Sequence, residues 1–221
     1  MRNQLFGNYT IGGENIMKMS SPFMRLSDAN FTQCAPSLNG PDFSIVVSPS
    51  AKKRLVDANG DYDIMVVKDS GETMPLEFKY RGDKIFYLLT LLCQKATGGL
   101  PTKFFSFGSS REVIKNVYDE VFRGGGDEWV EKIAGNSHKL SVCRSHAKEA
   151  IDNNPLLDWN TAYWCSLETM SLYVGPKGKK LQVRRVMLPK ERIIINDDNR
   201  LTQWLEGLPS LEEVVGSALL N

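Results

Sequence analysis

A dense run of basic side chains lies near the C-terminal end of the chain. Seven lysines and arginines fall within sixteen residues, and Glu191 is the one acid among them. The seven are Lys177, Lys179, Lys180, Arg184, Arg185, Lys190 and Arg192. Cations grouped in this way can neutralise the phosphates of a nucleic acid, because each contact releases a condensed counterion. Lysines also protect exposed strand edges from aggregation, so a solvated hairpin edge is the alternative interpretation.

A second group of polar side chains lies on a predicted helix over residues 137–151. At 100° per residue, one side of this helix carries the apolar residues Leu140, Cys143, Ala147, Ala150 and Ile151. The opposite side carries Ser141, Ser145, Lys148 and Glu149, and Arg144 lies at the margin. Serine, lysine and arginine can contact phosphates and base edges. Glu149 would repel phosphates, and any exposed helical face offers similar residues.

Two aspartates, Asp61 and Asp63, enter a predicted strand in an Asp-x-Asp pattern. This step resembles the metal-binding step of nucleotidyltransferases, where paired carboxylates hold Mg²⁺ against triphosphate oxygens. Ser48-Pro49-Ser50 lies where that family carries a Gly-Ser loop, but the glycine is missing. Glu77 would have to act as the third carboxylate. An Asn-Gly turn with flanking aspartates explains the same residues, so a metal-dependent enzyme is only a minor alternative.

Cys143 and His146 lie one helical turn apart and could both face a metal or act as nucleophile and base. Zinc normally takes four ligands, and only His138 lies near them in sequence. A Cys–His nucleophile also needs a group that orients the histidine, which the sequence does not identify. Gly124–Gly126 could cradle a phosphate, but Asp127 follows directly and opposes an anion there. We therefore expect no catalytic residue, no metal and no cofactor.

The composition is that of an ordinary globular protein. The chain has 221 residues, of which 42% are hydrophobic and 24% are charged, and its formal net charge is +1. The net charge gives no reason to expect a nucleic acid or a membrane surface as partner. The four cysteines, Cys34, Cys93, Cys143 and Cys165, form no CxxC pair. We expect them to be reduced, and with no signal peptide or membrane-spanning segment visible we expect a cytoplasmic protein.

The elements that must position these residues begin with a small antiparallel sheet. Strands are predicted at 43–47, 64–67 and 74–80. A wide apolar stripe then predicts a central core helix from Asp83 to the glycines Gly98-Gly99. A short strand at 103–107 follows, and Ser109 with Glu112 forms a capping box for the next helix. Arg123 and the three glycines after it end that helix, and Asp127 caps a short continuation.

A β-hairpin is predicted after the helix over 137–151. Its strands are SLYVG (171–175) and KLQVRRVML (180–188), joined by a Pro-Lys-Gly-Lys turn, and a further strand is expected at 192–195. Residues 152–170 show no assignable period. The whole chain then divides into an irregular N-terminal arm at 1–41, one domain at 42–195 and an acidic packing tail at 196–221.

The order of these elements resembles the winged-helix fold, and in particular the effector domains of response regulators. The resemblance rests on PLEFKYRGDKIFYLLTLL (75–92), KFFSF (103–107), KLSVCRSHAKEAI (139–151) and LYVGPKGKKLQVRRVMLP (172–189). It implies an α+β fold in which a small antiparallel sheet is followed by a winged-helix-like core of three helices and a C-terminal β-hairpin. The helix over 137–151 would be the third of the three.

The resemblance implies a duplex DNA-binding protein, with transcriptional regulation as its role. The third helix of such a fold enters the major groove, and the hairpin lies across the phosphate backbone. The implied contact residues are Ser141, Arg144, Ser145, Lys148, Lys177, Lys179, Lys180, Arg184 and Arg185. The alternative is a protein-interaction or assembly module on the same fold, since a fold does not decide function. The nearly neutral charge and the acidic tail favour that alternative.

Overall fold

The fold is mixed α+β, with two small sheets around a central helix. The computed structural model describes residues 40–51, 60–101, 104, 108–133, 136–174 and 179–206. Its strands are β1 (Phe43–Pro49), β2 (Tyr62–Lys68), β3 (Thr73–Pro75), β4 (Leu100–Pro101), β5 (Leu167–Val174), β6 (Lys179–Val186) and β7 (Ile193–Ile195). Its α-helices are α1 (Arg81–Thr97), α2 (Gly108–Phe122), α3 (Gly126–Ile133), α4 (Ser137–Asp152) and α5 (Trp159–Cys165).

The first sheet has the strand order β3-β2-β1-β7. β1 and β2 form an antiparallel pair from Phe43 opposite Lys68 to Pro49 opposite Tyr62. Every second side chain of both strands is buried, as the alternation of apolar and polar residues predicts. β7 is parallel to β1. The last strand among the described residues therefore returns to the first sheet, where it pairs with the first strand.

The predicted strand at 74–80 is wrong over most of its length. β3 covers only Thr73–Pro75, and its ladder with β2 ends at the pair Met65 and Pro75. Leu76 and Phe78 remain buried while Glu77 lies exposed, so the alternation of apolar and polar residues is real. Beyond Leu76, whose N–H still donates to Ile64 O, the chain leaves β2 to enter α1. A two-residue period shows that one side of an extended segment is buried. It does not show that the segment pairs with another strand.

Helix α1 forms the centre of the core, as its wide apolar stripe predicts. Its twelve residues from Asp83 to Gln94 are all buried. The helix ends where Gly98 takes a left-handed conformation with φ of 95°, and its N–H donates to Gln94 O. Gln94 also holds the second sheet, because its side-chain amide donates to Val186 O and Leu188 O and accepts from the Val186 N–H. No helix among the described residues is long and apolar enough to cross a membrane.

The second sheet has the strand order β4-β6-β5. β5 and β6 form the predicted hairpin, and its first strand begins at Leu167, four residues earlier than expected. Of the strand predicted at 103–107, only Phe104 belongs to the described residues. β4 is the pair Leu100–Pro101, directly after α1, and it lies against Val183 and Arg184 of β6. Phe104 is buried outside any strand, while residues 105–107 lie outside the described part of the chain.

Glycines separate α2 from α3, as the sequence predicts. Arg123, Gly124 and Gly125 all have positive φ values, which end α2 and redirect the chain. α2 begins at Gly108, so Ser109 lies inside the helix and is not its N-cap. Residues 152–170, which have no assignable period, contain α5, whose N-cap Asp158 accepts from the Thr161 N–H at 2.7 Å. The N-terminal arm up to residue 39 and the acidic tail from residue 207 onward lie outside the described residues.

Candidate nucleic-acid interface

Helix α4 lies against α1 with the apolar side that its period predicts. Leu140, Ala147 and Ile151 are buried, and Ser141 and Ser145 are exposed on the opposite side. Asn136 caps the helix by accepting from the Lys139 N–H at 3.0 Å. The outer face therefore presents two of the nine predicted contact residues to solvent. Glu149 is exposed on the same face.

Arg144 and Lys148 turn from α4 toward the β5 side of the structure. Arg144 Nη1 donates to Thr169 Oγ1 at 3.3 Å. Lys148 Nζ donates to Ser166 Oγ at 2.6 Å and lies 3.3 Å from a carboxylate oxygen of Asp152. Both side chains are partly buried. They tie the helix to the start of β5, so α4 and the hairpin form one continuous surface rather than two separate elements.

Arg184 lies on β6 directly opposite Thr169 and therefore on the same side of the sheet as Arg144. Its guanidinium carbon is 5.1 Å from the centre of the Phe86 ring, a cation–π contact with α1. Its Nε and Nη1 atoms are buried and have no hydrogen-bond acceptor. Burial, together with the positive charge of Arg144, lowers the pKa of Arg184 to about 10. Two cations thus share one half-buried location.

Arg185 is the next residue on β6, and its cross-strand neighbour is Glu168. Successive side chains of a strand point to opposite faces, so this pair lies on the other side of the sheet from Arg184. The Arg185 Nε atom is also buried without an acceptor. Burial lowers the pKa of Arg185, and the charge of Glu168 opposes that shift. The two arginines of β6 therefore have different electrostatic surroundings.

The basic run predicted from the sequence divides into parts with different surroundings. Lys177 lies outside the described residues, and for Lys179 and Lys180 only the strand backbone is described. Arg192 does not belong to the hairpin, because its Nη1 donates to Asp69 Oδ1 at 2.7 Å beside the first sheet. Lys190 accepts a hydrogen bond at its backbone O from Lys95 Nζ, at the C-terminal end of α1. Of the described part of the run, the surface near α4 therefore keeps Arg184, and Arg185 lies on the other side of the sheet.

The Asp-x-Asp pair has structural partners. Arg123 donates from Nε and Nη2 to the two carboxylate oxygens of Asp61, the second contact at 3.0 Å. The backbone N–H of Asp61 donates to Val121 O at 2.8 Å, so this ion pair joins β2 to the end of α2. Asp63 lies within β2 opposite Ser48, and Glu77 is exposed. These contacts account for Asp61 without a metal ion.

A cleft beside α4 contains a buried carboxylate that sequence reasoning missed. Asp83 is 3% exposed, and its Oδ2 lies 3.6 Å from His146 Nδ1. The cavity has a volume of about 320 Å³ and is lined by Lys79, Tyr80, Asp83, His146, Glu149, Ala150 and Asn153. Burial raises the pKa of Asp83 to about 6, and the charge of His146 opposes this. The only sequence signal was an acidic residue in the first turn of a helix, which normally indicates a helix terminus.

Asp83 is in the place of the orienting group that a Cys–His nucleophile requires, but Cys143 is not activated. Burial and then the negative charge of Asp83 raise the pKa of the Cys143 thiol to about 11. A reactive cysteine needs the opposite shift, because the thiolate is the nucleophile. Cys93, Cys143 and Cys165 are free thiols, and Cys34 lies outside the described residues. The cleft therefore contains a buried carboxylate with a raised pKa beside a partly exposed histidine, and Cys143 there is not an activated nucleophile.

Similarity to known proteins does not classify either of these sites. No protein-family model matches the chain, and no curated protein or solved structure is significantly similar to it. Among the described residues, no group of three or more histidine, cysteine, aspartate or glutamate side chains could hold a metal ion.

Proposed function

We propose that this protein binds duplex DNA through α4 and the β5–β6 hairpin, with a winged-helix-like core as the framework and transcriptional regulation as the role. The observation that carries the proposal is the continuity of helix and hairpin. Arg144 and Lys148 reach from α4 to Thr169 and Ser166, so α4 lies beside the face of the hairpin that carries Arg184. A duplex needs the two elements side by side, because groove and phosphate contacts are made together.

The order of elements supports the same framework. A core helix, a short strand, further helices and a hairpin follow one another, and the short strand β4 is hydrogen-bonded to β6. This arrangement keeps the hairpin beside α4, the helix that in our proposal enters the major groove. Ser141 and Ser145 would face base edges or phosphates there, and Arg184 would lie near the backbone. Glu149 and Asp152 on the exposed side of α4 limit how far the phosphates can approach the helix.

A specific observation also favours the second candidate, a protein-interaction module. Leu156 and Trp159, at the start of α5, are 54% and 64% exposed. The Trp159 ring stacks on Tyr163 with 6.1 Å between ring centres, which adds a second aromatic ring beside it. Exposed aromatic residues are enriched at protein interfaces. Leu156 and Trp159 lie outside α4 and the hairpin. Substitutions can therefore test the aromatic surface and the proposed DNA-binding surface separately.

The predicted lysines of the hairpin provide the first test of DNA binding. We expect the triple variant Lys177→Ala, Lys179→Ala, Lys180→Ala to bind every duplex sequence more weakly. It should also reduce the dependence of log K on log salt by up to about 0.9 for each phosphate that the variant no longer neutralises. Fluorescence anisotropy with labelled duplexes over a salt series measures both quantities.

The control variant for this test has the same net charge as the hairpin variant. Lys79, Lys95 and Lys132 are exposed and lie outside α4 and the hairpin. Their triple replacement by alanine should leave the salt dependence near the wild-type value. Equal weakening in both triple variants would mean diffuse attraction without a defined surface. An absence of salt-sensitive binding by the wild type at low ionic strength would exclude DNA as the ligand and leave the interaction module.

A further inference from the structure

Buried donors without acceptors are concentrated on β6. The side-chain atoms concerned are Arg184 Nε, Arg184 Nη1 and Arg185 Nε. Elsewhere in the described part of the chain, the buried polar side-chain atoms without a partner are the Ser50 hydroxyl oxygen and the amide oxygen of Asn160, which is an acceptor. Nearly all buried polar groups in native proteins have a hydrogen-bond partner. A buried charged donor without one is costly, since it has lost its water and gained nothing in return. Arg184, with two such atoms, is the residue that most needs an acceptor.

Arg144 is a second cation close to Arg184. Because two positive charges lie there, the acceptor that Arg184 needs is an anion. Arg144 lies close enough to Arg184 to lower its pKa, and its own hydrogen bond goes to the neutral hydroxyl of Thr169. Within the described residues neither arginine forms an ion pair with a carboxylate. Glu168 is adjacent to Thr169 in sequence, but it lies opposite Arg185 on the other side of the sheet. Two positive charges therefore lie close to Thr169, and the described residues provide no carboxylate that pairs with either of them.

We propose that Arg144 and Arg184 bind one phosphate-type oxyanion between them, beside the Thr169 hydroxyl. A tetrahedral oxyanion offers several acceptor oxygens at once, and a planar guanidinium can contact two of them. Arg184 as a whole is only partly buried, so part of the residue is in contact with solvent although Nε and Nη1 are buried. Small rotations of both side chains bring Nε and Nη1 toward the anion, and such changes are common when a ligand binds. The Phe86 ring supports the Arg184 guanidinium from the core side.

The same chemistry can come from two sources. One is a backbone phosphate of duplex DNA, in which case the inference rests on the proposed function and identifies where one phosphate is bound. The other is free phosphate or a small phosphate ester, which would occupy the site without a nucleic acid. Both ligands need the two arginines, so the same variants test the site, and the choice of probe distinguishes the sources.

The test uses the full chain and its variants Arg184→Gln and Arg144→Gln. Arg111→Gln is the matched control, because it removes one exposed positive charge on α2, outside the α4–hairpin surface. Inorganic phosphate, with chloride at equal ionic strength as reference, should raise the melting temperature of the wild type and of the control. Each site variant should bind phosphate about tenfold more weakly in calorimetric titration, since hydrogen bonds to charged groups are removed. A short labelled duplex is the second probe.

Arg184→Met keeps the proposal testable if glutamine disturbs the fold. This variant removes the unpaired buried charge and retains apolar contact with Phe86. Without phosphate it should melt at or above the wild-type temperature, and added phosphate should not raise its melting temperature. Wild-type protein that does not respond to phosphate, or variants that respond equally, would overturn the site.

The duplex probe distinguishes failure of the site from failure of the DNA proposal. If neither duplex binding nor phosphate binding changes in the two site variants, the oxyanion site is overturned and the proposed function is left standing. Phosphate binding that is weakened about tenfold in both site variants, without any duplex binding by the wild type, would support the site for a free phosphate and exclude the DNA function.

Discussion

Residue types predict charge but not surroundings, and the arginines of β6 show the difference. Arg184 and Arg185 are adjacent, and the sequence treats them as equivalent cations of one hairpin. In the structure, Arg184 lies over Phe86 beside Arg144, whereas Arg185 lies opposite Glu168. No local pattern contains this information, because each environment is made by residues distant in sequence. Phe86 and Arg144 come from two different helices.

The Asp83–His146 pair is also formed by residues that are distant in sequence. The two residues are separated by 63 positions and meet only because α4 packs across the start of α1. The sequence identified His146 and Cys143 as a possible pair but not the carboxylate that lies beside them. Burial and that carboxylate raise the pKa of the Cys143 thiol, which is the opposite of the shift that a nucleophilic cysteine requires.

The stability of the protein should depend on the protonation of Asp83. Burial raises its folded-state pKa to about 6 from an ordinary value near 3.8. A raised folded-state pKa contributes stability that is present below the unfolded value and is lost as the pH rises through the folded value. We therefore expect Asp83→Asn to reduce the loss of stability between about pH 4 and pH 6. Urea unfolding followed at a series of pH values measures this.

The control for the Asp83 experiment is Asp198→Asn, at an exposed aspartate. It should leave the pH profile in this range unchanged. The charged neighbours lining the cleft are Lys79, His146 and Glu149, and protonation of His146 acts against the shift. A wild-type profile that is flat from pH 4 to pH 6, or identical in Asp83→Asn, would show that Asp83 is not desolvated as the structure indicates.

Elements with a strong local signal were predicted well. The 3.6-residue period of apolar residues and the glycines that follow it predicted α1. The apolar side of α4 is the one that a rotation of 100° per residue predicts. Strand prediction was wrong where tertiary contacts decide which residues pair. The 74–80 segment has the period of a strand but leaves its partner after Leu76, and two residues, Leu100–Pro101, form β4 because β6 lies beside them. A two-residue strand has no detectable period.

The junction of α2 and α3 should tolerate no side chain at Gly126. A Cβ added there would lie 2.6 Å from Lys115 O and 2.8 Å from Asp119 Oδ1, and the first of these is backbone. Gly126 N–H also donates to Asp119 Oδ1 at 2.8 Å, so the two helices cannot separate without breaking this bond. We expect Gly126→Ala to lower the free energy of unfolding by about 1–3 kcal/mol, as overpacked sites do. Urea denaturation measures the change.

Gly40→Ala is the matched control for this substitution. Gly40 has no atom within 4 Å of an added Cβ and has no positive φ, so the same chemical change meets open space. Its free energy of unfolding should stay within about 0.5 kcal/mol of the wild type. If Gly126→Ala is as stable as this control, the close packing of α2 against α3 is wrong.

At the scale of the whole molecule, the two sheets divide the basic run that the sequence presents as one. β7 returns to the first sheet directly after the hairpin, which takes Arg192 to Asp69 and away from α4. The sequence predicted the α+β class and the order of helices and hairpin, since these depend on local periods. It could not predict the parallel pairing of β7 with β1, because that pairing joins residues almost 150 positions apart.

Backbone amide NMR during titration with a short duplex tests the proposed function most directly, since it locates the contact on the molecule. The DNA proposal predicts that shifts concentrate on α4 around Ser141 and Ser145 and on β6 around Arg184, and that they diminish as salt is added. Amides of α2 and of the β1–β2 hairpin act as internal controls and should not move. Shifts confined to Leu156 and Trp159, or no shifts at low ionic strength, would contradict the account.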